Sequence, residues 1–400
     1  MLPTWLDRMR EGRVRRIADP DFRRRAANSP LTKGYARRQA KALFDLSAGF
    51  VYSQILYASV RCGLFDMLAA GPLELAEIAR RTDLPEPAAE RLLKGAAALD
   101  LVEARGRRRY ALGSLGAALV DNPGARAMIL HHDMLYRDLA DPIALLRGET
   151  QPELGRYWTY GEGKGEETGT DEEGHEPSSP DRAGYTELMA ASQGLVNAEI
   201  LDAYTFRGHK RLLDVGGGDG SFLIAVGKQA PHLELTLFDL PAVAGTARAN
   251  IARAGLADRG EVVVGDLFAD ALPAGADVVT LNRVLHDHDD EEALAILEAV
   301  RRAIAPGGTL LVTEPMAGTP GARESGDAYF GFYLFAVGQG RPRTTGEIGR
   351  MLHRAGFDGV VPLETNTPVI ARSLAARARP QPLRRGPAPA GKGARGVRPL

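Results

Sequence analysis

Short apolar runs alternate with amphipathic stretches through the second half of the chain. Five runs of strand length each end at or close to a polar residue, and they lie at 211–214, 233–239, 261–266, 276–281 and 309–314. The amphipathic stretches between them predict helices. Strands that alternate with helices predict a doubly wound parallel sheet, a fold in which ligands bind at the carboxyl ends of the strands.

The first half of the chain has a helical pattern that ends in a hairpin. Apolar residues at helical spacing predict a long helix from 42 to 68, and two short helices follow at 73–81 and 87–99. Turn signals around Gly106 predict a hairpin that completes a winged-helix arrangement. Winged helices bind DNA or serve as scaffolds for dimerisation. Because a ligand-binding domain follows, we favour dimerisation.

Changes in composition divide the chain into five segments. They are a basic irregular N-terminal arm (1–40), the winged-helix domain (41–125), a helical connector (126–205), the α/β domain (206–372) and a tail (373–400). Residues 161–182 are rich in Gly, Glu and Asp with almost no apolar side chains, which predicts a mobile acidic loop inside the connector. The tail is rich in Pro, Gly, Ala and Arg and is expected to be disordered.

Composition narrows the setting in which the protein works. The 400 residues are 44% apolar and 25% charged with a net charge of −1, values that suit a globular protein of two domains plus tails. A single cysteine, Cys62, excludes an intramolecular disulfide and fits a reducing compartment. No signal peptide or membrane-spanning run is found. We expect a cytoplasmic protein. The arginine-rich arm is typical of a solvated face or a loose arm, and a peripheral contact with the anionic lipid of the inner membrane is the alternative.

The turn after the first predicted strand carries the main chemical signal. Gly216, Gly218 and Gly220 alternate there, and a helical pattern begins behind them. A dinucleotide fingerprint would need a glycine where Ser221 stands. Asp214, at the strand end, would repel a pyrophosphate but would suit a ligand with an ammonium group. These features together favour S-adenosylmethionine as the cofactor.

Acids at the next two strand ends suit the nucleoside of that cofactor. Asp239 is able to accept hydrogen bonds from both ribose hydroxyls, because a carboxylate has two acceptor oxygens. Asp266 is placed to accept from the adenine amino group, while Leu267 and Phe268 pack on the base.

A histidine follows the fourth predicted strand, on the side of the cofactor's sulfonium. His286 is the natural general base for an acceptor hydroxyl, because imidazole titrates near neutrality, and Arg283 is placed to line the cofactor pocket. The adjacent His131 and His132 lie on different faces of a helix and make a poor metal pair. No sequence pattern typical of a metal site occurs, so we expect none.

Several motifs resemble the plant- and animal-type small-molecule O-methyltransferases: LLDVGGGDG, TLFDLP, VVGDLF, NRVLHDHDD and RTTGEIGRMLHRAGF. The resemblance implies a winged-helix dimerisation domain followed by a class I, Rossmann-like methyltransferase domain. Other stretches, ALFDLSAGFVYSQIL and DAYFGFYLFAV among them, are similar to the bacterial carotenoid O-methyltransferases of that family.

The resemblance also implies roles for particular residues. Cofactor positions of the family match Gly216, Gly218, Asp239, Asp266, Leu267 and Arg283. His286 matches the family's base and Glu314 an acid that orients it. Two residues of the family's pattern are absent from this sequence. The second orienting glutamate of plant members falls near Pro342, and the family's lysine before the base falls on Asn282.

The expected function is S-adenosylmethionine-dependent methylation of a hydroxyl on a lipophilic small molecule, by a homodimer that binds no nucleic acid. The favoured acceptor is the tertiary hydroxyl of an acyclic hydroxycarotenoid, as in photosynthetic bacteria. A phenolic or polyketide hydroxyl is the alternative, and a ligand-responsive DNA-binding regulator is the remote one. A group of aromatic residues is clustered between 329 and 335. It is equally well suited to line a pocket for a polyene or to pack in the core or the dimer interface. Its members are Tyr329, Phe330, Phe332, Tyr333 and Phe335.

Overall fold

The computed structural model describes residues 4–155 and 193–380. The chain forms two compact units, residues 1–122 and 123–400. The helical connector expected at 126–205 therefore belongs to the second unit. The acidic segment 161–182 lies outside the described residues, as do positions 381–400 of the tail.

The first unit begins with three helices, α1 (Thr4–Ala18), α2 (Pro20–Asn28) and α3 (Lys33–Arg61). The expectation of an irregular arm over 1–40 is therefore wrong. The side chain of Asp19 accepts a hydrogen bond from the main-chain N–H of Asp21 and caps α2, and Pro20 occupies the first turn. Arginine and alanine are also good helix formers, so a basic segment has no intrinsic tendency to be irregular.

The helix predicted from 42 to 68 is broken near its end. Helix α3 ends at Arg61, Gly63 takes a left-handed conformation (φ 64°), and α4 (Leu64–Ala69) follows. Glycine reaches that region without a Cβ clash, so the chain turns there.

The winged helix is confirmed in the remainder of this unit. Helices α5 (Leu75–Thr82) and α6 (Glu86–Ala98) precede the hairpin of β2 (Val102–Arg105) and β3 (Arg109–Leu112). A short strand, β1 (Leu73–Glu74), pairs with β3, and a one-turn helix, α7 (Ser114–Ala117), follows the hairpin. The buried core of the unit includes Leu64, Phe65, Leu68, Leu75, Ile78 and Leu93.

The second unit contains a seven-stranded sheet that follows α8 (Pro123–Asp138) and α9 (Pro142–Leu146). The five predicted strands are confirmed, as β4 (Arg211–Val215), β5 (Glu234–Asp239), β6 (Gly260–Val264), β7 (Val278–Asn282) and β8 (Thr309–Glu314). Pairing between neighbours in the order β6-β5-β4-β7-β8 is parallel throughout. Leu212 and Leu213 belong to different apolar clusters, so this sheet is buried on both faces.

Two more strands complete the sheet. They are β9 (Phe357–Leu363) and β10 (Arg372–Ala378), and β10 lies between β8 and β9, antiparallel to both. The expected disorder from 373 onward is therefore wrong for the residues up to 378. The sequence Arg-Ser-Leu-Ala-Ala-Arg-Ala is only weakly apolar, and backbone pairing with two neighbours fixes it in place.

Four helices pack on the sheet: α10 (Ser221–Gln229), α11 (Pro241–Arg253), α12 (Asp290–Ala303) and α14 (Thr345–Arg354). A further helix between strands, α13 (Gly331–Val337), packs with residues of α8 and α9. A 3₁₀ turn, Leu285–Asp287, follows β7, and a π-helical segment, Glu324–Phe330, precedes α13. Among residues 4–155 and 193–380, no helix combines the length and apolar character that crossing a bilayer requires. Within the same ranges, no cluster of His, Cys, Asp or Glu is arranged to hold a metal ion.

Candidate active site

The glycine turn joins β4 to α10 at the carboxyl edge of the sheet. Gly216 has a φ of 70°, and a Cβ at this position would lie 2.8 Å from Val284 Cγ2. A Cβ on Gly217 would lie 2.6 Å from Asp214 Oδ2 and 2.9 Å from the side chain of Leu237. Gly216 therefore needs glycine for its backbone angle and for space, and Gly217 for space alone. The alternating pattern in the sequence does not single out Gly217.

Asp214 lies in the interior beneath this turn. Its Oδ1 accepts hydrogen bonds from Thr280 Oγ1 (2.6 Å) and Asn282 Nδ2 (3.3 Å), both on β7. Burial raises the pKa of Asp214 to about 7. Its Oδ2, the Oδ1 of Asn282 and the Oγ of Ser221 are buried and have no hydrogen-bond partner in the described protein. Unpaired buried polar atoms are costly, so this group is suited to a bound ligand that supplies a donor.

Asp239 lies beside the glycine turn at the end of β5. Its Oδ2 accepts from the N–H of Gly218 (2.7 Å), and its Oδ1 accepts from the N–H of Leu240 (2.7 Å). Burial raises the pKa of Asp239, and these two backbone donors oppose that shift. Each oxygen keeps a second lone pair, so the carboxylate is still able to accept from a ribose.

Asp266 follows the end of β6 and shapes a short turn. Its Oδ1 accepts from the N–H of Phe268 (2.8 Å). Leu267 packs partly on the core, whereas the ring of Phe268 is 44% exposed and meets His288 edge-on, with ring centroids 5.3 Å apart. Of Asp266, Leu267 and Phe268, it is therefore Phe268 whose exposed ring is suited to pack on a nucleobase.

Arg283 stands just after β7 in a left-handed backbone conformation, with a φ of 59°. Its N–H donates to the carbonyl of Thr313 at 2.7 Å. Burial lowers the pKa of His286, and the charge of Arg283 adds to that shift. Burial raises the pKa of Tyr329, and the charge of Arg283 opposes that rise. A non-glycine residue at positive φ stores strain of a kind that is common at active sites.

His286 is buried in the 3₁₀ turn after β7. Burial, followed by the smaller effects of the Arg283 and Arg343 charges, lowers the pKa of His286 to about 3. Its Nε2 lies 3.3 Å from Asp287 Oδ1, and its Nδ1 has no hydrogen-bond partner in the described protein. The imidazole is therefore neutral at physiological pH and has a nitrogen available to accept a proton.

Glu314 lies at the end of β8, but it does not hold the ring of His286. Its Oε2 accepts from the main-chain N–H of His286 at 3.1 Å, and its Oε1 has no partner among the described residues. Burial raises the pKa of Glu314 to about 7. The expectation that this acid orients His286 stays a prediction, and the contact that the structure shows is to the backbone of the turn.

Aromatic residues lie next to His286, and two histidines hold them. The ring of Phe330 is 6.2 Å from that of His286, and Tyr329 and Tyr333 pack against Phe330. Tyr333 Oη is 2.8 Å from His131 Nε2, and Tyr329 Oη is 2.7 Å from His132 Nε2. Phe332 and Phe335, by contrast, are 41% and 46% exposed. The predicted aromatic group thus divides, and sequence reasoning missed the histidines that anchor its inner half.

Comparison with known proteins connects this geometry to a family. The O-methyltransferase domain family matches residues 136–358, and the O-methyltransferase dimerisation domain family matches residues 44–122. The first match covers more than half of the chain and includes the glycine turn, the strand-end acids and His286. The chain belongs to the O-methyltransferase family.

Individual relatives show how far the similarity of this O-methyltransferase extends. Demethylspheroidene O-methyltransferase of Cereibacter sphaeroides is 41% identical over 363 residues, which cover 91% of this chain and 93% of that protein. The 3-hydroxy-5-methyl-1-naphthoate 3-O-methyltransferase of Streptomyces sahachiroi is 32% identical over 68% of this chain and 76% of its own length. Human N-acetylserotonin methyltransferase in complex with SAM matches with a TM-score of 0.68 at 25% identity, covering 85% of this chain and 98% of that one.

The cofactor of this O-methyltransferase is S-adenosylmethionine. It supplies an electrophilic methyl group on a positively charged sulfur. The residues at the sheet edge fit it, because unpaired buried acceptors lie beneath the glycine turn and Asp239 stands beside that turn.

Proposed function

We propose that the enzyme methylates the tertiary hydroxyl of an acyclic hydroxycarotenoid. The observation that carries this proposal is the 41% identity to demethylspheroidene O-methyltransferase over nearly the full length of both proteins. The site supports it, because the rings of Tyr329, Phe330 and Tyr333 are grouped beside His286. Such rings offer a polyene an apolar, low-dielectric surface.

The cofactor contacts we propose follow the strand ends. Asp239 accepts from the ribose hydroxyls, Asp266 from the adenine amino group, and Phe268 covers the base. Asp214 offers its unpaired Oδ2 to the ammonium of the methionine part. Gly216 and Gly218 allow the close approach, and Arg283 lines the pocket at the methyl-bearing end.

His286 is proposed to take the proton of the acceptor hydroxyl. A phenol has a pKa of about 10, whereas a tertiary alcohol is far less acidic. The hydroxyl of this acceptor therefore does not lose its proton before methyl transfer begins. Proton removal then accompanies methyl transfer, and alignment of the hydroxyl with the methyl group supplies much of the rate. A neutral imidazole in a water-poor turn suits that task, since it is free to accept a proton at Nδ1.

A phenolic acceptor is the second candidate, favoured by the 32% identity to the Streptomyces naphthoate enzyme. Incubation with labelled S-adenosylmethionine separates the two. We expect label in demethylspheroidene and little in 3-hydroxy-5-methyl-1-naphthoate. The reverse pattern would replace the carotenoid by a phenol. Binding of duplex DNA without methyl transfer would point to a regulator. Against that function, two arginines of the wing already form ion pairs, Arg105 with Glu103 and Arg108 with Glu86, at 2.7 Å each.

We also propose that the N-terminal helices contact an anionic membrane surface. Helix α1 exposes apolar side chains among its arginines, namely Trp5 (58% exposed), Met9 (64%) and Val14 (64%), and the turn between α2 and α3 exposes Leu31 (96%). Arginines near an anionic surface contribute about 1 kcal/mol each, and a lipophilic acceptor would be found in that membrane. The proposed location is therefore the cytoplasmic face of the membrane.

Vesicle sedimentation tests this contact. Replacing four exposed arginines (Arg8, Arg10, Arg16 and Arg24) by glutamine should lower binding to phosphatidylglycerol vesicles by tenfold or more, because about 1 kcal/mol is lost per charge. The matched control replaces four exposed cations of the second unit, Lys228, Arg302, Arg350 and Arg354, and should bind as the wild type does. Equal binding to neutral phosphatidylcholine, or equal losses in both variants, would rule out the arm as the contact.

A further inference from the structure

Arg343 is a charged side chain with no exposed surface, outside the cofactor and acceptor contacts described above. Its Nε donates to Asp290 Oδ1 at 2.9 Å. Its Nη1 donates to the carbonyl of Leu285 at 2.6 Å, and its Nη2 donates to the carbonyl of His288 at 2.6 Å. Burying a guanidinium is costly unless its donors are satisfied, and here the planar fork meets three acceptors.

The two carbonyls held by Arg343 stand on either side of His286 in the chain. The carbonyl of His286 itself accepts from the main-chain N–H of Arg341 at 2.9 Å. Gly340 lies so close that a Cβ there would be 2.1 Å from the same carbonyl oxygen. Segment 340–343 therefore covers the carbonyl side of the turn, while Glu314 takes the N–H of His286 from the other direction.

The ring of His286, by comparison, has few partners of its own, a hydrogen bond with the main chain of Arg283 among them. Its nearest ionisable neighbour is the adjacent Asp287, 3.3 Å from Nε2, and its Nδ1 has no partner among the described residues. The orientation of the imidazole thus depends on the backbone that carries it. That backbone is fixed by groups from two segments distant in the sequence.

We propose that Arg343 is the positioning residue for His286, holding the turn 285–288 so that the imidazole keeps one orientation toward the acceptor hydroxyl. This inference rests on the proposed role of His286 as the base. Arg343 itself has no exposed surface with which to contact cofactor or acceptor. It acts through geometry and through its positive charge.

The charge has a consequence for pH. Charged and titratable groups that face or adjoin His286 are Arg283, Asp287, His288, Glu314 and Arg343. Burial contributes most to lowering the pKa of His286, and the charge of Arg343 lowers it further. Removing that charge raises the pKa, so the neutral, active form of the base is lost at a higher pH.

Two substitutions separate geometry from charge. Arg343→Lys keeps the charge but loses the fork, so turnover should fall about 10- to 100-fold, the range for a misplaced catalytic group, while cofactor Kd changes less than twofold. Arg343→Gln loses both, so the acid limb of its pH–turnover profile should lie at higher pH than that of Arg343→Lys. Turnover of Arg343→Lys within about twofold of the wild type would overturn the proposal, and so would coincident acid limbs.

Arg259 supplies a matched control, because its guanidinium also donates to main-chain carbonyls, those of Leu233 (2.9 Å) and Gly227 (2.5 Å), away from His286. Arg259→Lys should lower the melting temperature as Arg343→Lys does but leave turnover and the acid limb unchanged. An equal loss of turnover in both variants would mean that general destabilisation explains the effect.

A double substitution tests whether Arg343 acts through His286. Once His286→Ala has removed the base, adding Arg343→Lys should cost less than a further twofold, whereas independent effects would multiply. Multiplying losses would overturn the proposal. If His286→Ala alone keeps wild-type turnover, the base assignment fails instead, so the two failures are distinguishable.

Asp290→Ala, which removes the acceptor oxygen, provides a route that does not depend on folding of the Arg343 variants. The side chain of Asp290 is 57% exposed at the start of α12, and it orients the Nε of Arg343. We expect a severalfold loss of turnover with unchanged cofactor affinity. Wild-type turnover in this variant would count against the positioning role.

Discussion

Individual side chains at the sheet edge carry charges that their surroundings set. His286 is kept neutral by burial, which lowers its pKa, whereas Asp214 and Glu314 have pKa values raised to about 7 by the same cause. Burial disfavours whichever form is charged, so bases and acids shift in opposite directions. The site therefore has a neutral imidazole beside carboxyls that are easily protonated.

His286→Ala tests the base at this scale. Loss of a general base costs about 10²- to 10⁴-fold in turnover, and we expect a fall in that range. Cofactor affinity should remain within about twofold, because the imidazole is proposed to meet the acceptor and not the nucleoside. Turnover at saturating cofactor and calorimetric titration give the two numbers. A fall below tenfold would mean that alignment dominates the rate and that the proton leaves late.

Glu314→Gln should change the pH dependence of stability. The ordinary pKa of glutamate is 4.5 and the folded value is about 7, so the unfolded chain releases its proton first. The wild type therefore loses stability between those values as pH rises, by about 3 kcal/mol at most. Glutamine keeps an oxygen for the N–H of His286 but has no proton to lose.

Denaturant unfolding at pH 4 and pH 8 checks this prediction. The variant should gain stability relative to the wild type at pH 8 and not at pH 4, with a smaller effect on turnover than His286→Ala has. A constant difference between the two pH values would mean that Glu314 titrates normally.

At the level of elements, the turn between β4 and α10 is the part with least freedom to vary. The carboxyl of Asp214 lies beneath it and the N–H of Gly218 is bonded to Asp239, so the turn is held from two strands. A side chain at Gly217 has no space, because Asp214 and Leu237 already occupy it. The shape of the cofactor site is thus set by close packing of the backbone on β4 and β5.

Gly217→Ala should therefore weaken cofactor binding by about tenfold or more and lower stability by roughly 1–3 kcal/mol, the usual cost of overpacking. Gly245→Ala is the matched control, since Gly245 lies in α11 with nothing within 4 Å of the added Cβ. That control should bind the cofactor normally and gain a few tenths of a kcal/mol or more from helix propensity. Equal cofactor affinity in both variants would contradict the packing argument.

At the scale of the whole molecule, the first unit matches the O-methyltransferase dimerisation domain over 44–122 and exposes an apolar stretch at the start of that match. Its members are Leu43, Phe44, Leu46, Phe50 and Val51, each more than 40% exposed. Leu64, Phe65 and Leu68, expected to join them on one helix, are buried in the core of this unit instead. Only the part of the predicted helix 42–68 that precedes Arg61 therefore exposes large apolar side chains to a second copy.

A homodimer through this stretch is the expected assembly, because an exposed apolar patch of this kind marks an interaction site. Leu46→Asp with Phe50→Asp should shift the mass measured by light scattering at micromolar concentration from dimer to monomer. Val361→Asp, which alters a 54% exposed valine on β9, should leave the dimer intact. A wild-type monomer, or a dimer that survives the double substitution, would place the interface elsewhere.

The sequence by itself determined the class of fold and the positions of the five parallel strands along the chain, and it predicted the sheet edge that holds the cofactor. Those follow from local signals: apolar periodicity, alternating glycines and acids where strands end. Asp214, Asp239 and His286 were predicted as site residues because each stands at a fixed offset from such a signal.

Only the tertiary structure decided how the base is held, because the contacts join residues far apart in the chain. Glu314 accepts a hydrogen bond from the backbone of His286, which is 28 positions away in the sequence, and not from its ring. Arg343 donates to the carbonyl of Leu285, which is 58 positions away. Strand β10 is fixed by pairing with β8 and β9 although its own pattern is weak. Periodicity describes one segment at a time, so it does not specify which distant donor will satisfy a buried acceptor.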